Sequence, residues 1–254
     1  MTQIVSGRGP ALPWPLGPVA HRGLHDAKAG RIENTASAFA AAIAKGYAIE
    51  CDLQATLGDV PVVFHDETLD RLMDAKGLVR DRTPTELGKL AFHGTSDRMQ
   101  TLDELLAQVA GRVPLVIEIK TMFTPPGRYE EQIAAALKTY AGPVAVMSFD
   151  HKCVAAMRLL APQLPRGMIS YRWDDDWMPQ IGSDERRKLA SLIYARDVGP
   201  SFFAYDIDDL PEPAPFVART QWGVPLLTWT VRTPEQQAKA AKYADAIIFE
   251  GFEP

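Results

Sequence analysis

Nine short apolar runs recur along this chain, and most are separated by stretches with helical periodicity or helix-start signals. The runs span 18–22, 47–53, 61–65, 114–120, 143–149, 166–170, 201–207, 225–231 and 246–250. Strand-length runs alternating with helices mark βα units and a mostly parallel sheet. The polar residues between the runs carry the helix starts. Thr101 with Glu104, and Thr233 with Gln236, have capping-box spacing, the latter with Pro234 at the first helical position. Thr83, Pro84 and Glu86 repeat the pattern. Asp150 is placed to cap a helix over 151–161 that Pro162 ends, and Thr35 to cap one that Gly46 closes.

Nine runs are one more than a closed eight-stranded barrel needs, and spacing accounts for the surplus. From Asp52 to His65 there are only 13 steps, with Leu57-Gly58-Asp59 as a turn between them. A right-handed crossover takes a dozen or more residues for its connection alone. Residues 61–65 therefore read as the returning arm of a hairpin that extends the second strand. The remaining eight runs close a TIM-type (β/α)8 barrel, for which 254 residues is an ordinary size. Residues 66–100 read as an excursion with one short helix near 84–91, and 172–185 as a loop over one barrel mouth. No linker or repeat divides the chain, so 1–254 is expected to be a single domain with its core at about 18–250.

Totals exclude some functions. A formal net charge of -5 argues against a nucleic-acid binder, which usually carries a basic excess. No stretch approaches 18 consecutive apolar residues, and the proline-broken N-terminus lacks the basic-then-apolar order of a leader. A cytoplasmic protein without stable membrane insertion is expected. Cys51 and Cys153 form no CxxC pair and fit a reducing compartment. Oligomeric state is left open.

Chemistry concentrates at run ends. Glu50 and Asp52 lie two apart on a strand, so both carboxylates share one face while Cys51 takes the other. Barrel enzymes place their sites at the C-terminal ends of the strands. Two carboxylates there repel, and a divalent cation is the usual way to keep both ionised. All-oxygen ligation suits Mg²⁺ or Ca²⁺ better than Zn²⁺; the plainer alternative is an exposed pair on an edge strand. Glu118 and Lys120 also share a face, as a third ligand with an anion holder or as an internal ion pair. His21-Arg22-Gly23 ends the first run: a histidine suited to acid–base work, a planar fork for phosphate oxygens, and a glycine for a sharp turn. His65-Asp66 closes the hairpin arm. A turn centred on 58–59 brings position 65 back roughly opposite 52, which sets a second histidine beside the carboxylates. His25, His93 and His151 read as surface residues.

Taken together, HRG (21–23), ENT (33–35), ExD (50–52), TxxD (56–59) with HD (65–66), and ExK (118–120) resemble the glycerophosphodiester phosphodiesterases. That family is distantly akin to bacterial phosphatidylinositol-specific phospholipases C. The resemblance continues through LDR (69–71), TLxELL (101–106), SFD (148–150) and WTV (229–231), and covers about 18–250. It implies a TIM barrel, one divalent cation (Mg²⁺ or Ca²⁺), and hydrolysis of a small glycerophosphodiester to glycerol 3-phosphate and an alcohol. Carried over by position, His21 and His65 resemble the acid/base pair. Glu50, Asp52 and Glu118 resemble the metal ligands, and Arg22 and Lys120 the phosphate-binding cations. Trp229 is similar to the family's aromatic wall near the glycerol end, or is a large core side chain at the barrel top. The chain departs from the family at Ile32 (usually Pro), Arg232 (usually Asn) and Glu250 (usually Asp). These positions are expected to stand clear of the metal and histidine set and to bear on head-group choice. Two alternatives accompany this reading. One is a lysophospholipase D-like enzyme with Trp173, Trp177 and Met178 as an apolar rim. The other is a catalytically silent barrel binding a phosphorylated metabolite, which would be expected to have lost some of the seven polar site residues.

Overall fold

The computed structural model describes residues 8–175 and 177–254. Residues 1–7 of the N-terminal segment and Asp176 of the 172–185 loop lie outside the described residues. All nine apolar runs are strands: β1 (Val19–Ala20), β2 (Ala48–Ala55), β3 (Pro61–Val63), β4 (Leu115–Ile119), β5 (Val144–Ser148), β6 (Arg166–Ser170), β7 (Phe202–Asp206), β8 (Leu226–Val231) and β9 (Ala246–Phe249). The helices are α1 (Ala36–Lys45), α2 (Pro84–Leu87), α3 (Leu102–Val109), α4 (Arg128–Lys138), α5 (His151–Leu160), α6 (Ser183–Ala190), α7 (Ala195–Val198), α8 (Pro213–Thr220) and α9 (Pro234–Tyr243).

Eight parallel strands run in the order β1-β9-β8-β7-β6-β5-β4-β2, and a β1–β2 pairing closes the ring. β3 is the surplus strand and lies antiparallel on β2, with Leu53 paired to Val63 and Ala55 to Pro61. The hairpin expectation holds. β1 meets β2 only at Ala48 and Ile49, and β3 pairs with β2 further along.

The period-2 alternation divides the core into two layers. Leu115, Ile117 and Ile119 of β4 pack outward among Ile133, Leu137, Val154 and Met157 of α4 and α5. Val116, Ala145, Met147, Ile169, Ala204, Leu227 and Ile248 fill the interior. Gly167 is required there, because a Cβ at that position would sit 2.4 Å from the Phe202 ring. The excursion carries a third cluster around Phe64 and Phe92, with Leu69, Met73 and Leu87.

Helix starts follow the sequence with two exceptions. Thr83 with Glu86 and Thr101 with Glu104 form complete capping boxes, and Asp150 accepts from the Lys152 N–H. Thr233 accepts from the Gln236 N–H, but Gln236 returns its bond to Arg232 rather than to the cap. Thr35 does not cap α1, since its hydroxyl donates to the Ile32 carbonyl instead. The excursion's helix is a four-residue turn rather than the eight residues expected.

Candidate active site

β2 and β4 pair in parallel with Asp52 and Glu118 as direct partners, so their carboxylates are neighbours on the interior face. Glu50 lies one interior step earlier. All three are buried, and one ligand oxygen from each falls within 4.8 Å of the others. Lys120 Nζ lies 2.6 Å from Glu118 Oε1 and 3.1 Å from Asp52 Oδ1. Glu118 and Lys120 are thus an internal ion pair within the acidic cluster. Burial alone would raise Asp52, but the charges of Lys120, His65, Arg22 and His21 hold it well below the usual carboxylate range. Burial, then Asp52 and Glu118, push Glu50 up. Burial and then Asp52 push Glu118 up, against the pull of Lys120. Nearby side-chain cations leave part of this negative charge unbalanced, and the donors are all oxygens. Such a set fits a hard divalent cation.

The turn after β1 sets the next two residues. Gly23, at φ +80°, passes so close to Ala38 and Phe39 that a Cβ would lie 3.0 Å from both. Its N–H faces the carbonyls of Ala20 and Glu50. Arg22 also has positive φ (54°), a conformation costing on the order of 1–3 kcal/mol in a non-glycine residue. It is held there by its own N–H, which donates to Glu50 Oε2 at 2.9 Å. His21 Nε2 then lies 4.0 Å from Glu50 Oε2.

His21 Nδ1 lies 2.5 Å from Glu250 Oε2. A carboxylate only accepts, so Nδ1 carries a proton, and in the neutral ring the lone pair lies at Nε2, toward the acidic cluster. Burial lowers the His21 pKa below its ordinary value, although Glu250 opposes this. The expectation that the three departures stand clear of the histidines is therefore overturned at Glu250. Arg232, another departure, lies behind it with Nε 2.6 Å from Glu250 Oε1. His25 is not a free surface residue either: its Nε2 lies 3.4 Å from Glu250 Oε2.

Register places Phe64, not His65, opposite Asp52, and the Phe64 N–H donates to the Asp52 carbonyl at 3.0 Å. His65 stands one residue further, its carbonyl held by Gln54 Nε2, and still lines the cavity with Glu118 and Lys120. His65 Nδ1 lies 2.7 Å from Asp66 Oδ1. Arg71 bridges Asp66 to Glu33, and Glu33 accepts from Arg22 Nη1 at 2.6 Å. A chain of hydrogen-bonded side chains thus runs from His65 through Asp66, Arg71 and Glu33 to Arg22, beside His21. Asn34 completes the inner ring: Nδ2 donates to Asp52 Oδ2 at 2.8 Å and Oδ1 accepts from the Asp52 N–H. The ENT triplet is visible in the sequence, but no local pattern there gives Glu33 or Asn34 a role.

Two lobes of about 300 and about 320 Å³ open on this cluster and share His65, Glu118, Lys120, Phe149 and Trp177. The first adds His21, Arg22, Tyr171, Asp206, Trp229 and Arg232. The second adds Thr121, Met122, Asp150, Met178 and Gln180. Trp229 thus lines the cavity, and its buried Nε1 has no hydrogen-bond partner among the described residues. The 172–185 loop covers this mouth, as expected, through Trp177 and Met178. Trp173 does not belong to a rim, for it is 3% exposed and stacked on Tyr171 at 4.5 Å. His93 is exposed beside Asp74, and His151 stacks on Tyr194 at 3.6 Å.

Residues 21–250 match the model of the glycerophosphoryl diester phosphodiesterase family. The chain is 32% identical to a glycerophosphodiester phosphodiesterase of Caldanaerobacter subterraneus subsp. tengcongensis, over 91% of this chain and 92% of that one. Among solved structures, glycerophosphodiester phosphodiesterase from Thermotoga maritima is 25% identical with a TM-score of 0.67, covering 91% of this chain and 93% of that one. An Oleispira antarctica phosphodiesterase, in complex with its product sn-glycerol-3-phosphate, is 20% identical with a TM-score of 0.72, covering 92% of both chains. The barrel, the assembled mouth and the match across nearly the whole length agree: this chain belongs to the glycerophosphoryl diester phosphodiesterase family.

Proposed function

We propose that this chain, as one catalytic domain, hydrolyses glycerophosphodiesters to glycerol 3-phosphate and an alcohol with His21 and His65 as acid–base pair. The carrying observation is the convergence of Glu50, Glu118, Lys120 and both histidines on one cavity, with Asp52 grouped beside Glu50 and Glu118. Glu50, Asp52 and Glu118 would hold one divalent cation, Mg²⁺ or Ca²⁺, whose charge would offset that of the phosphodiester as the transition state forms. Arg22 and Lys120 add fixed positive charge at the phosphoryl oxygens, where one lost donor typically costs ~10²–10³ in rate. His21, neutral with a free lone pair at Nε2, takes the proton of the nucleophile. His65, its Nδ1 backed by Asp66, gives a proton to the leaving alkoxide.

The two lobes suit a diester's two arms. With the phosphate at the shared wall, the glycerol arm lies against Trp229 and Tyr171, and the head group enters the lobe of Thr121, Met122 and Gln180. Trp177, 49% exposed, together with Met122 and Met178, supports a second reading in which that arm is a lysolipid. A panel of glycerophosphodiesters and lysophospholipids, assayed for released glycerol 3-phosphate or lysophosphatidate, tests both. The small diesters should turn over, activity should vanish with EDTA, and Mg²⁺ or Ca²⁺ should restore it. Full activity in a rigorously metal-free sample would contradict the metal assignment, and no turnover of any diester would contradict the function.

A further inference from the structure

A second set of metal-type donors lies beside the acidic cluster. One ligand atom each from His21, His25 and Glu250 falls within 4.8 Å of the others. The fold assembles them from both ends of the barrel sequence. His21 follows β1, the left-handed turn at Arg22 and Gly23 brings His25 back beside it, and Glu250 follows β9, which pairs with β1. Glu250 Oε2 faces both rings, at 2.5 Å from His21 Nδ1 and 3.4 Å from His25 Nε2. Its other oxygen is engaged by Arg232, which fixes the carboxylate's orientation.

We propose that His21, His25 and Glu250 form a binding site for a borderline-soft cation of the Zn²⁺ class, distinct from the carboxylate cluster, whose occupation switches catalysis off. Two imidazole nitrogens and one carboxylate are a donor set that zinc takes with a water in the fourth position. Hard Mg²⁺ and Ca²⁺ prefer the all-oxygen set of Glu50, Asp52 and Glu118. Tetrahedral ligation at zinc distances separates ligand atoms by about 3.3 Å. The His25–Glu250 separation already has that spacing. The His21–Glu250 contact must open by roughly 0.8 Å to reach it.

The cation takes the Nδ1 lone pair of His21, so the ring's single proton moves through solvent from Nδ1 to Nε2 and the ring stays neutral. Its N–H then stands at Nε2, the atom that must accept a proton in the proposed reaction. Binding therefore removes the base without displacing the catalytic cation. This consequence rests on the two-histidine reading, whereas the binding site itself does not.

The test uses His25→Ala and His25→Gln, changes at a residue outside the proposed chemistry, in enzyme kept in excess Mg²⁺. Co²⁺ serves as the spectroscopic probe and Zn²⁺ as its competitor. Wild type should bind one equivalent of Co²⁺ with tetrahedral visible bands that Zn²⁺ removes, and should lose activity in step with zinc occupancy. Both variants should keep basal turnover within a few-fold. They should bind at least ~100-fold more weakly, beyond the loss typical of a missing outer-shell partner, and should keep activity at the same zinc concentration. Equal zinc inhibition in wild type and variants, or no Co²⁺ binding in excess Mg²⁺, would overturn the site. The cobalt bands remain readable even if no diester is turned over, so failure of the enzymatic reading and failure of the site are separate results.

Discussion

The Nδ1 atom of His21 lies 2.5 Å from Oε2 of Glu250, a residue 229 positions later in the chain. The contact exists because β1 and β9 are neighbours in the closed sheet. It fixes which nitrogen of His21 carries the proton. It also depresses Glu250: burial would raise its carboxyl, but the bonds to His21 and His25 and the charges of His21 and Arg232 hold it well below the ordinary range.

In the proposed mechanism Glu250 is therefore a positioning residue. Glu250→Gln should lower kcat by ~10–100-fold, the usual effect of removing a carboxylate behind a working imidazole. KM should change little, because Glu250 does not touch the phosphate in this account. Glu250→Asp, which keeps the charge, should recover part of the rate. Equal kcat in wild type and Glu250→Gln would reduce the contact to packing.

Glu33 lies between Arg22 and Arg71 and should report on the loop that carries Arg22. Burial would raise its pKa, but Arg71 and Arg22 lower it from 4.5 to about 2. A depressed carboxylate contributes stability above its unfolded pKa and loses it as pH falls through the folded one. Glu33→Gln should therefore cost about 2 kcal/mol at pH 7, allowing for solvent screening of the exposed Arg71. The difference should shrink as pH falls from about 4.5 toward 2. Denaturant titrations of both proteins across that range check it, and a penalty independent of pH would contradict it.

Asp206 works in the opposite sense. Burial, then Asp209 and Asp208, raise it from 3.8 to about 6. A raised carboxyl favours the folded state below its unfolded pKa, and that benefit is lost as pH rises through about 6. Asp206→Asn should then be neutral in stability at pH 4 and stabilising at pH 8. The gain should be ~1 kcal/mol after discounting for solvent exposure, or a rise in Tm of about 2–4 °C. No difference in Tm at pH 8 would show that the charge carries no burden there.

The barrel was legible in the sequence because its information is local and periodic. Alternating apolar runs, capping residues and the 13-step spacing between Asp52 and His65 each act within a few turns of chain. Glu50, Asp52 and Glu118 could be grouped because a strand's two-residue period puts alternate side chains on one face. Glu250 escaped because its partner lies across the barrel's closure, where no local period reaches. Asn34 and Glu33 escaped for a related reason: their roles depend on how the loop after β1 folds over β2. The one-residue offset at His65 reflects turn geometry, which residue types at 57–59 constrain less tightly than they mark its place. Thr35 shows that capping chemistry is local only until a nearer carbonyl competes for the same hydroxyl.

In the proposed mechanism His21 and His65 act as one proton-transfer unit over a metal held by carboxylates alone. The most direct measurement is kcat for His21→Ala, His65→Ala and the double variant on glycerophosphocholine, with bound divalent cation quantified in the same samples. Each single change should lower kcat by ~10²-fold or more, while metal content stays at the wild-type level. The double variant should fall little below the slower single one, since groups acting as a unit are not additive. A His65→Ala enzyme with near wild-type turnover, or loss of the metal along with either histidine, would contradict the account.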